Sequence, residues 1–321
     1  MTQPERPLGY HHLLLLGRRG WWWAPLGAAF LFLLFVCTQI FLFQAVALGL
    51  RATRSGPEVE RLLSGSEQVT PTYLALVTAT LAVLIPLTIV VVLAVHRLPA
   101  GLLASVAGRV RWRWLAICFG VAAVAFVVRL VVTVALVPVM GTMVDPGEQS
   151  VALNEFTSTT RDFLLVVVLL VPLQAAGEEY VFRGYLTQGI GSTLARWPRV
   201  SLVAAVLVPA VLFALAHGSQ SAPVFIDRLS FGLVAGVLVL ATGGLEAGIA
   251  LHVLNNLIAF GLALLLGDMD EALRPGEASW WIVPITVVHS LFFAALTLWA
   301  ARASGVARTR PAVLVGRESR V

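Results

Sequence analysis

The sequence predicts an all-α membrane protein, a bundle of about eight transmembrane helices around a polar intramembrane cavity. Its residues are 59% hydrophobic and 12% charged, with a mean hydropathy of +0.89, whereas soluble domains carry roughly 25% charged residues. Eight segments are long and apolar enough to cross ~30 Å of hydrocarbon. Three short polar clusters lie within or at the ends of these segments, where ionisable groups are costly and usually serve a function.

The predicted spans leave no room for a soluble domain. The first is longer than the ~7–15-residue apolar core of a signal peptide, so we expect it to remain as an uncleaved helix. Two cysteines, both within spans, indicate neither a disulfide framework nor a Cys-based metal site. The eight spans cover residues 22–50, 73–95, 112–137, 162–188, 199–217, 224–242, 245–266 and 280–301.

The placement of arginine predicts the orientation. All 22 basic residues are arginine, and they concentrate at the N-terminus, in the 96–113 and 189–199 loops and in the tail. Loops on the cytoplasmic side carry such an excess, so we expect an integral protein of a bacterial plasma membrane with both termini cytoplasmic. The net charge of +5 then reflects these loops and not a nucleic-acid-binding surface. The tail from about Ala303 is expected to be disordered.

The first polar cluster contains two adjacent acids, Glu178 and Glu179, followed by Arg183. Adjacent residues of a helix point about 100° apart, so the two carboxylates face different directions. Glu179 and Arg183 have the i, i+4 spacing of a favourable ion pair. Glu178 is then left unpaired and is suited to accept or donate a proton. The alternative is that both acids reach the inner interface together with Arg183.

The other two clusters supply imidazoles and an amide. His217 ends the fifth span and shares a helix face with Phe213, while His252 and Asn256 project from one face of the seventh span. Both His252 and Asn256 can donate hydrogen bonds to an oxyanion, and such donors are worth ~3–4 kcal/mol each. Taken singly, each of these residues is also explained as a hydrogen-bonding contact between helices.

Together the motifs E-E-x-x-x-R, F-x-x-x-H and H-x-x-x-N resemble those of the CPBP family of intramembrane glutamic endopeptidases, which includes the Rce1-like CAAX prenyl proteases. The resemblance covers roughly residues 160–266. It implies that Glu178 and His217 activate a hydrolytic water and that His252 and Asn256 hold the oxyanion. The supporting residues would be Glu179, Arg183 and Phe213.

This reading predicts an endopeptidase that hydrolyses a peptide bond in a membrane-associated protein or peptide, without a cofactor or metal. Its partners would be that substrate and the lipid bilayer, with no nucleic acid. We expect an N-terminal three-span region (1–159), a catalytic core (160–266), and an eighth span with an Arg-rich tail (267–321). The alternatives are a zinc protease using the same His and Glu residues, a non-catalytic scaffold or immunity protein, and a transporter with a proton relay.

The depth of the catalytic residues presents a difficulty. In straight helices at 1.5 Å per residue, Glu178 and His217 would lie near opposite membrane surfaces, unable to share a water. We therefore predict kinks at Pro172 and Pro209 and a fourth helix that continues inward to about Gln188.

The remaining charges have simple expected roles. Arg129 would extend outward to the interface, Glu246 would be interfacial, and Asp227 and Arg228 would pair locally. His289 is a lone histidine in the eighth span, for which a structural role is expected.

Overall fold

The computed structural model describes residues 7–18, 20–65, 67–140, 153–273 and 278–312. Within these ranges, eight helices are long and apolar enough to cross a membrane, which confirms the all-α class and the predicted spans. They are α1 (Trp23–Arg51), α2 (Pro71–His96), α3 (Trp112–Met140), α4 (Ser158–Thr193), α5 (Pro198–Ala216), α6 (Ala222–Thr242), α7 (Glu246–Leu266) and α8 (Ile282–Ala303).

The chain outside these helices forms a few short elements. Short helices occupy Tyr10–Leu16, Gly56–Ser64, Gly101–Ala104 and Met269–Leu273. Strands β1 (Leu8–Gly9) and β2 (Thr309–Arg310) pair in antiparallel fashion. The expected disorder of the tail is therefore wrong for β2, because backbone pairing with the N-terminal segment holds it in place. Residues 313–321 lie outside the described ranges.

Helix α4 has three local irregularities that set the position of Glu178. Its regular structure is interrupted at Leu170, where φ is −104°. Pro172, two residues later, has no N–H and crowds the preceding turn. A π-helical stretch follows at Tyr180–Leu186 before α-helix resumes to Thr193. The helix therefore extends past Gln188 as predicted, and Glu178 lies near the middle of its 36 residues.

Helix α5 runs from Pro198 to Ala216 without interruption, although Pro209 lies inside it. Pro209 has no N–H to donate to the carbonyl of Ala205, four residues earlier. The hydroxyl of Thr187, near the end of α4, donates to that oxygen at 3.0 Å instead. This hydrogen bond also fixes α4, which carries Glu178, against α5, which is followed directly by His217.

Three groups of buried apolar side chains form the core. One joins the N-terminal segment to α1, α2, α4 and α6, a second lies among α3, α6, α7 and α8, and a third joins α2, α4 and α7. Gly177 allows the close approach of α4 to α2, because a Cβ there would clash with the carbonyl oxygen of Leu81. The neighbouring Glu178 is thereby held at a fixed distance from α2.

The start of α7 is anchored by a buried ion pair. Glu246 is 1% exposed, so it is enclosed by the protein at the start of α7. Arg111 donates to Glu246 from Nε at 2.8 Å and from Nη2 at 2.6 Å, and its backbone N–H adds a third bond at 3.0 Å. An acid in the first helical turn also interacts favourably with the helix dipole. This anchor fixes the helix that carries His252 and Asn256.

Candidate active site

A cavity of about 940 Å³ brings the three sequence clusters together. Glu178, Phe213, His217, His252 and Asn256 all line it, and each of the eight helices contributes to its wall. The side nearest α1 and α2 is mostly apolar, while the opposite side carries polar side chains. The cavity can therefore hold a ligand that carries a polar reacting group next to an apolar group.

Glu179 and Arg183 form a buried ion pair behind this wall. Arg183 Nη1 donates to Glu179 Oε1 at 2.9 Å, and their side chains are 1% and 0% exposed, so the expected i, i+4 pair is present. The guanidinium also lies 4.1 Å from the ring centroid of Phe213. Gly248 makes room for the acid, since a Cβ there would come within 2.5 Å of Glu179 Oε2.

Glu178 has different surroundings from its neighbour. Its side chain lines the cavity and is only 10% exposed, and its Oε2 lies 3.4 Å from His252 Nε2, beyond the usual hydrogen-bond range. Among the described residues, this oxygen has no hydrogen-bond partner. Glu178 is thus a buried carboxylate without an arginine partner, facing the cavity.

His252 lies between the two acids, a contact that the sequence did not reveal. Its Nδ1 is 3.0 Å from Glu179 Oε1 while its Nε2 faces Glu178. Because a carboxylate accepts, the Nδ1–H donates to Glu179, and this bond fixes the orientation of the ring. Helices α4 and α7 are far apart in the chain, so no local spacing could have signalled the contact.

His217 directly follows the last residue of α5. Its Nδ1 lies 2.8 Å from the carbonyl oxygen of Phe213, and since a carbonyl only accepts, Nδ1 carries the proton. In the neutral ring, Nε2 is then the basic nitrogen, able to accept from a water. The ring also packs edge-on against Phe213, with centroids 4.8 Å apart.

Asn256 contacts a residue that the sequence analysis did not single out. Its Nδ2 donates to Gln174 Oε1 at 3.2 Å, and Gln174 lies one turn before Glu178 on α4. The bond uses one of two N–H groups, so the amide retains a donor for a ligand. A buried glutamine in an apolar helix was the available signal for Gln174.

Two of the remaining charges also differ from expectation. Arg129 does not extend outward: it lines the cavity and donates to Asn255 Oδ1 at 3.3 Å, because its face of α3 is turned toward α7. Arg228 donates to Gln220 Oε1 instead of pairing with Asp227. Gln220 in turn donates to the carbonyl of Ala214 at 2.7 Å, which closes the loop after His217.

No group of three His, Cys, Asp or Glu side chains within the described ranges has the arrangement of a metal site. Both nitrogens of His252 face carboxylates, and Nδ1 of His217 faces a carbonyl oxygen. Of the four ring nitrogens of His217 and His252, Nε2 of His217 is the one that faces neither a carboxylate nor a carbonyl.

Comparison with known proteins finds a family model that matches the part of the chain that carries this site. Residues 160–258 match the family model of the type II CAAX prenyl endopeptidases, Rce1-like. The uncharacterized protein YyaK of Bacillus subtilis is 27% identical over 161 residues, 47% of this chain and 52% of that protein, so the match spans about half the length of this curated relative. No solved structure matches significantly. The resemblance to the Rce1-like CAAX prenyl endopeptidases is thus confirmed over residues 160–258.

Proposed function

We propose that the chain is an intramembrane endopeptidase that cleaves a membrane-associated peptide or protein with a water activated by Glu178 and His217. The observation that carries the proposal is the state of Glu178, a buried carboxylate without an arginine partner that faces the same cavity as both imidazoles. The match to a family of endopeptidases supports the reaction class.

The contacts suggest a role for each side chain. A water between Glu178 and His217 Nε2 gives its proton to the carboxylate and attacks the substrate carbonyl. Asn256 and the Nε2 of His252 donate to the oxyanion, with His252 protonated at both ring nitrogens between the two acids. The proton gained by Glu178 removes the negative charge that attracts Nε2. Glu178 then returns the proton to the leaving amine as the carbon–nitrogen bond breaks. General acid–base catalysis of this kind contributes typically 10²–10⁴-fold in rate.

Glu179 and Arg183 lie outside the cavity, behind the catalytic side chains. The Glu179 carboxylate holds Nδ1 of His252 at 3.0 Å, and Arg183 balances the charge of Glu179. Because neither lines the cavity, we assign them supporting roles. Phe213 separates the two imidazoles, with ring centroids 4.8 Å from His217 and 5.7 Å from His252.

The apolar wall formed by α1 and α2 suits a substrate that resides in lipid. It includes Leu31, Phe32, Phe35 and Leu81. A lipidated peptide, as the name of the family suggests, and the apolar end of a membrane helix both fit this chemistry. Burial of the reacting groups requires helices to separate when substrate enters.

The proposal is tested by mass spectrometry of membrane peptides from cells that express either the wild-type protein or Glu178→Gln. We expect fragments that depend on the wild-type protein and fall at least 100-fold in the variant, because the amide cannot accept the proton. Glu58→Gln is the matched control, since Glu58 is an exposed acid paired with Arg54 and should leave cleavage unchanged. The same fragments at the same level with Glu178→Gln would defeat the assignment.

A further inference from the structure

Ten polar side chains line the cavity outside the proposed catalytic set, and six of them form one group. We call these six the second polar cluster. None belongs to the three sequence motifs, and they come from α3, α6, α7 and α8. They are Arg129, Asp227, Asn255, Thr286, His289 and Ser290.

Several members of the second polar cluster are buried. Thr286, His289 and Ser290 are 4%, 3% and 1% exposed. His289 Nε2 and Ser290 Oγ have no hydrogen-bond partner in the described part of the chain, while the Thr286 hydroxyl lies beside the Asp227 carboxylate. Each such buried group costs about 1–3 kcal/mol when left unsatisfied. Two such groups facing one cavity are suited to a bound group that supplies a donor and an acceptor.

The charges of the cluster narrow the chemistry of that group. Arg129 and Asp227 are close enough to interact electrostatically, but they form no direct ion pair. A carboxylate ligand would be opposed by Asp227. An ammonium would be opposed by Arg129 and by Arg228, which also lines the cavity and is already bonded to Gln220. A neutral group with an N–H and a C=O meets no such opposition. The peptide unit is the group of this kind that an endopeptidase must bind.

The cluster also lies at a suitable place along the cavity. Asp227 is one helical turn before Phe231, whose ring packs 5.0 Å from that of His252. Four residues of helix rise about 6 Å, and each residue of an extended peptide spans ~3.3–3.6 Å. Asp227 therefore lies about two residues of extended peptide along α6 from the ring that packs against His252.

We propose that the second polar cluster binds the backbone of the substrate about two residues from the bond that is cut. Asp227 and His289 Nε2 accept from substrate N–H groups, while Arg129, Thr286 and Ser290 donate to substrate carbonyls. The inference rests on the proposed function, and it assigns part of the substrate to a site that the motifs do not include.

The test measures binding without turnover. The probe is a fluorescein-labelled N-palmitoyl hexa-alanine amide, and fluorescence anisotropy measures its binding to purified Glu178→Gln protein in detergent. Adding Thr286→Val and Ser290→Ala should weaken binding at least tenfold. Adding Thr297→Val should not, since Thr297 is a buried α8 threonine that does not line the cavity. A probe methylated at every backbone nitrogen cannot donate to Asp227 and His289, so it should bind each of the three proteins more weakly than the unmethylated probe does.

Two results would overturn the inference: failure of the unmethylated probe to bind Glu178→Gln protein, and equal binding by the variant without the two hydroxyls. Equal binding would mean that the cluster holds water only. These failures differ from failure of the proposed function. If Glu178→Gln abolishes cleavage and the hydroxyls do not affect binding, the backbone site alone is wrong. If Glu178→Gln still cleaves, the catalytic assignment is wrong whatever the probe does.

Discussion

Replacing Glu179 by glutamine tests the distinct roles of the two adjacent acids. Glu179 is 0% exposed and accepts hydrogen bonds from Arg183 and His252. The substitution keeps the shape of the side chain but leaves Arg183 buried without its counter-ion. Removing one partner of a buried pair costs ~3–5 kcal/mol. The rings of Phe213 and Phe231 still face the guanidinium, but such contacts are worth about 2 kcal/mol when desolvated and are present before and after the change.

We therefore expect Glu179→Gln to lower the free energy of unfolding by roughly 3–5 kcal/mol. Glu178→Gln should lower it by less than ~1 kcal/mol, because Glu178 has no arginine partner to leave uncompensated. Denaturant unfolding in detergent, followed by the fluorescence of the nine tryptophans, gives both values. The double variant Glu179→Gln/Arg183→Met should recover most of the loss, since it removes the uncompensated charge. Equal losses for the two single variants, or no recovery in the double variant, would refute the reasoning.

Three further predictions concern packing, satisfaction of polar groups and pH. Gly177→Ala should lower both stability and activity, because the new Cβ meets the Leu81 carbonyl; unchanged thermal unfolding would argue against the close contact of α4 and α2. Thr187→Val should cost about 1–3 kcal/mol by leaving the Ala205 carbonyl without its donor, and a neutral result would mean that another group reaches that oxygen. Burial lowers the pKa of His11 from 6.5 to about 4, so its neutral form is favoured in the folded state and stability is lost as the pH falls below about 6.5, increasingly down to about 4. Amide hydrogen exchange of residues 10–16, corrected for intrinsic rates, should therefore be faster at pH 5 than at pH 7, and equal protection would contradict this.

The sequence was sufficient for the parts of the fold that hydropathy and local spacing control. Eight spans follow from apolar length, and the pair of Glu179 with Arg183 follows from their spacing on one helix. The sequence predicted that α4 continues inward to about Gln188, because Glu178 and His217 could not otherwise lie at the same depth. The helix ends slightly later, at Thr193. These features depend on contacts within one helix or on transfer of a segment into lipid.

Contacts between helices could not be predicted in the same way, because they depend on how each helix is rotated about its axis. Arg129 was expected to reach the interface, yet its face of α3 is turned toward Asn255. The sequence also contained no indication that the 96–113 loop brings Arg111 over Glu246. The position of His252 between two carboxylates follows from the packing of α4 against α7. The hydropathy of each segment is the same whichever way its helix is rotated, so it does not indicate which rotation the protein adopts.

The division of the chain into three regions, the orientation in the membrane and the roles of the site residues remain predictions. The cavity links the division into regions to the roles of the site residues. Arg129 of α3 and His289 of α8 both line it, although neither helix carries a family motif. A catalytic core limited to residues 160–266 would therefore lack part of its own cavity wall.

The central claim is that Glu178 directs water to a peptide bond. The most direct measurement is mass spectrometry of products formed by the purified, membrane-reconstituted protein in ¹⁸O-labelled water, with a substrate found in the membrane-peptide comparison. We expect ¹⁸O to enter the new carboxyl terminus with wild-type protein, and we expect Glu178→Gln to form almost no product. Labelled product at the wild-type rate from Glu178→Gln, or wild-type product without the label, would contradict it.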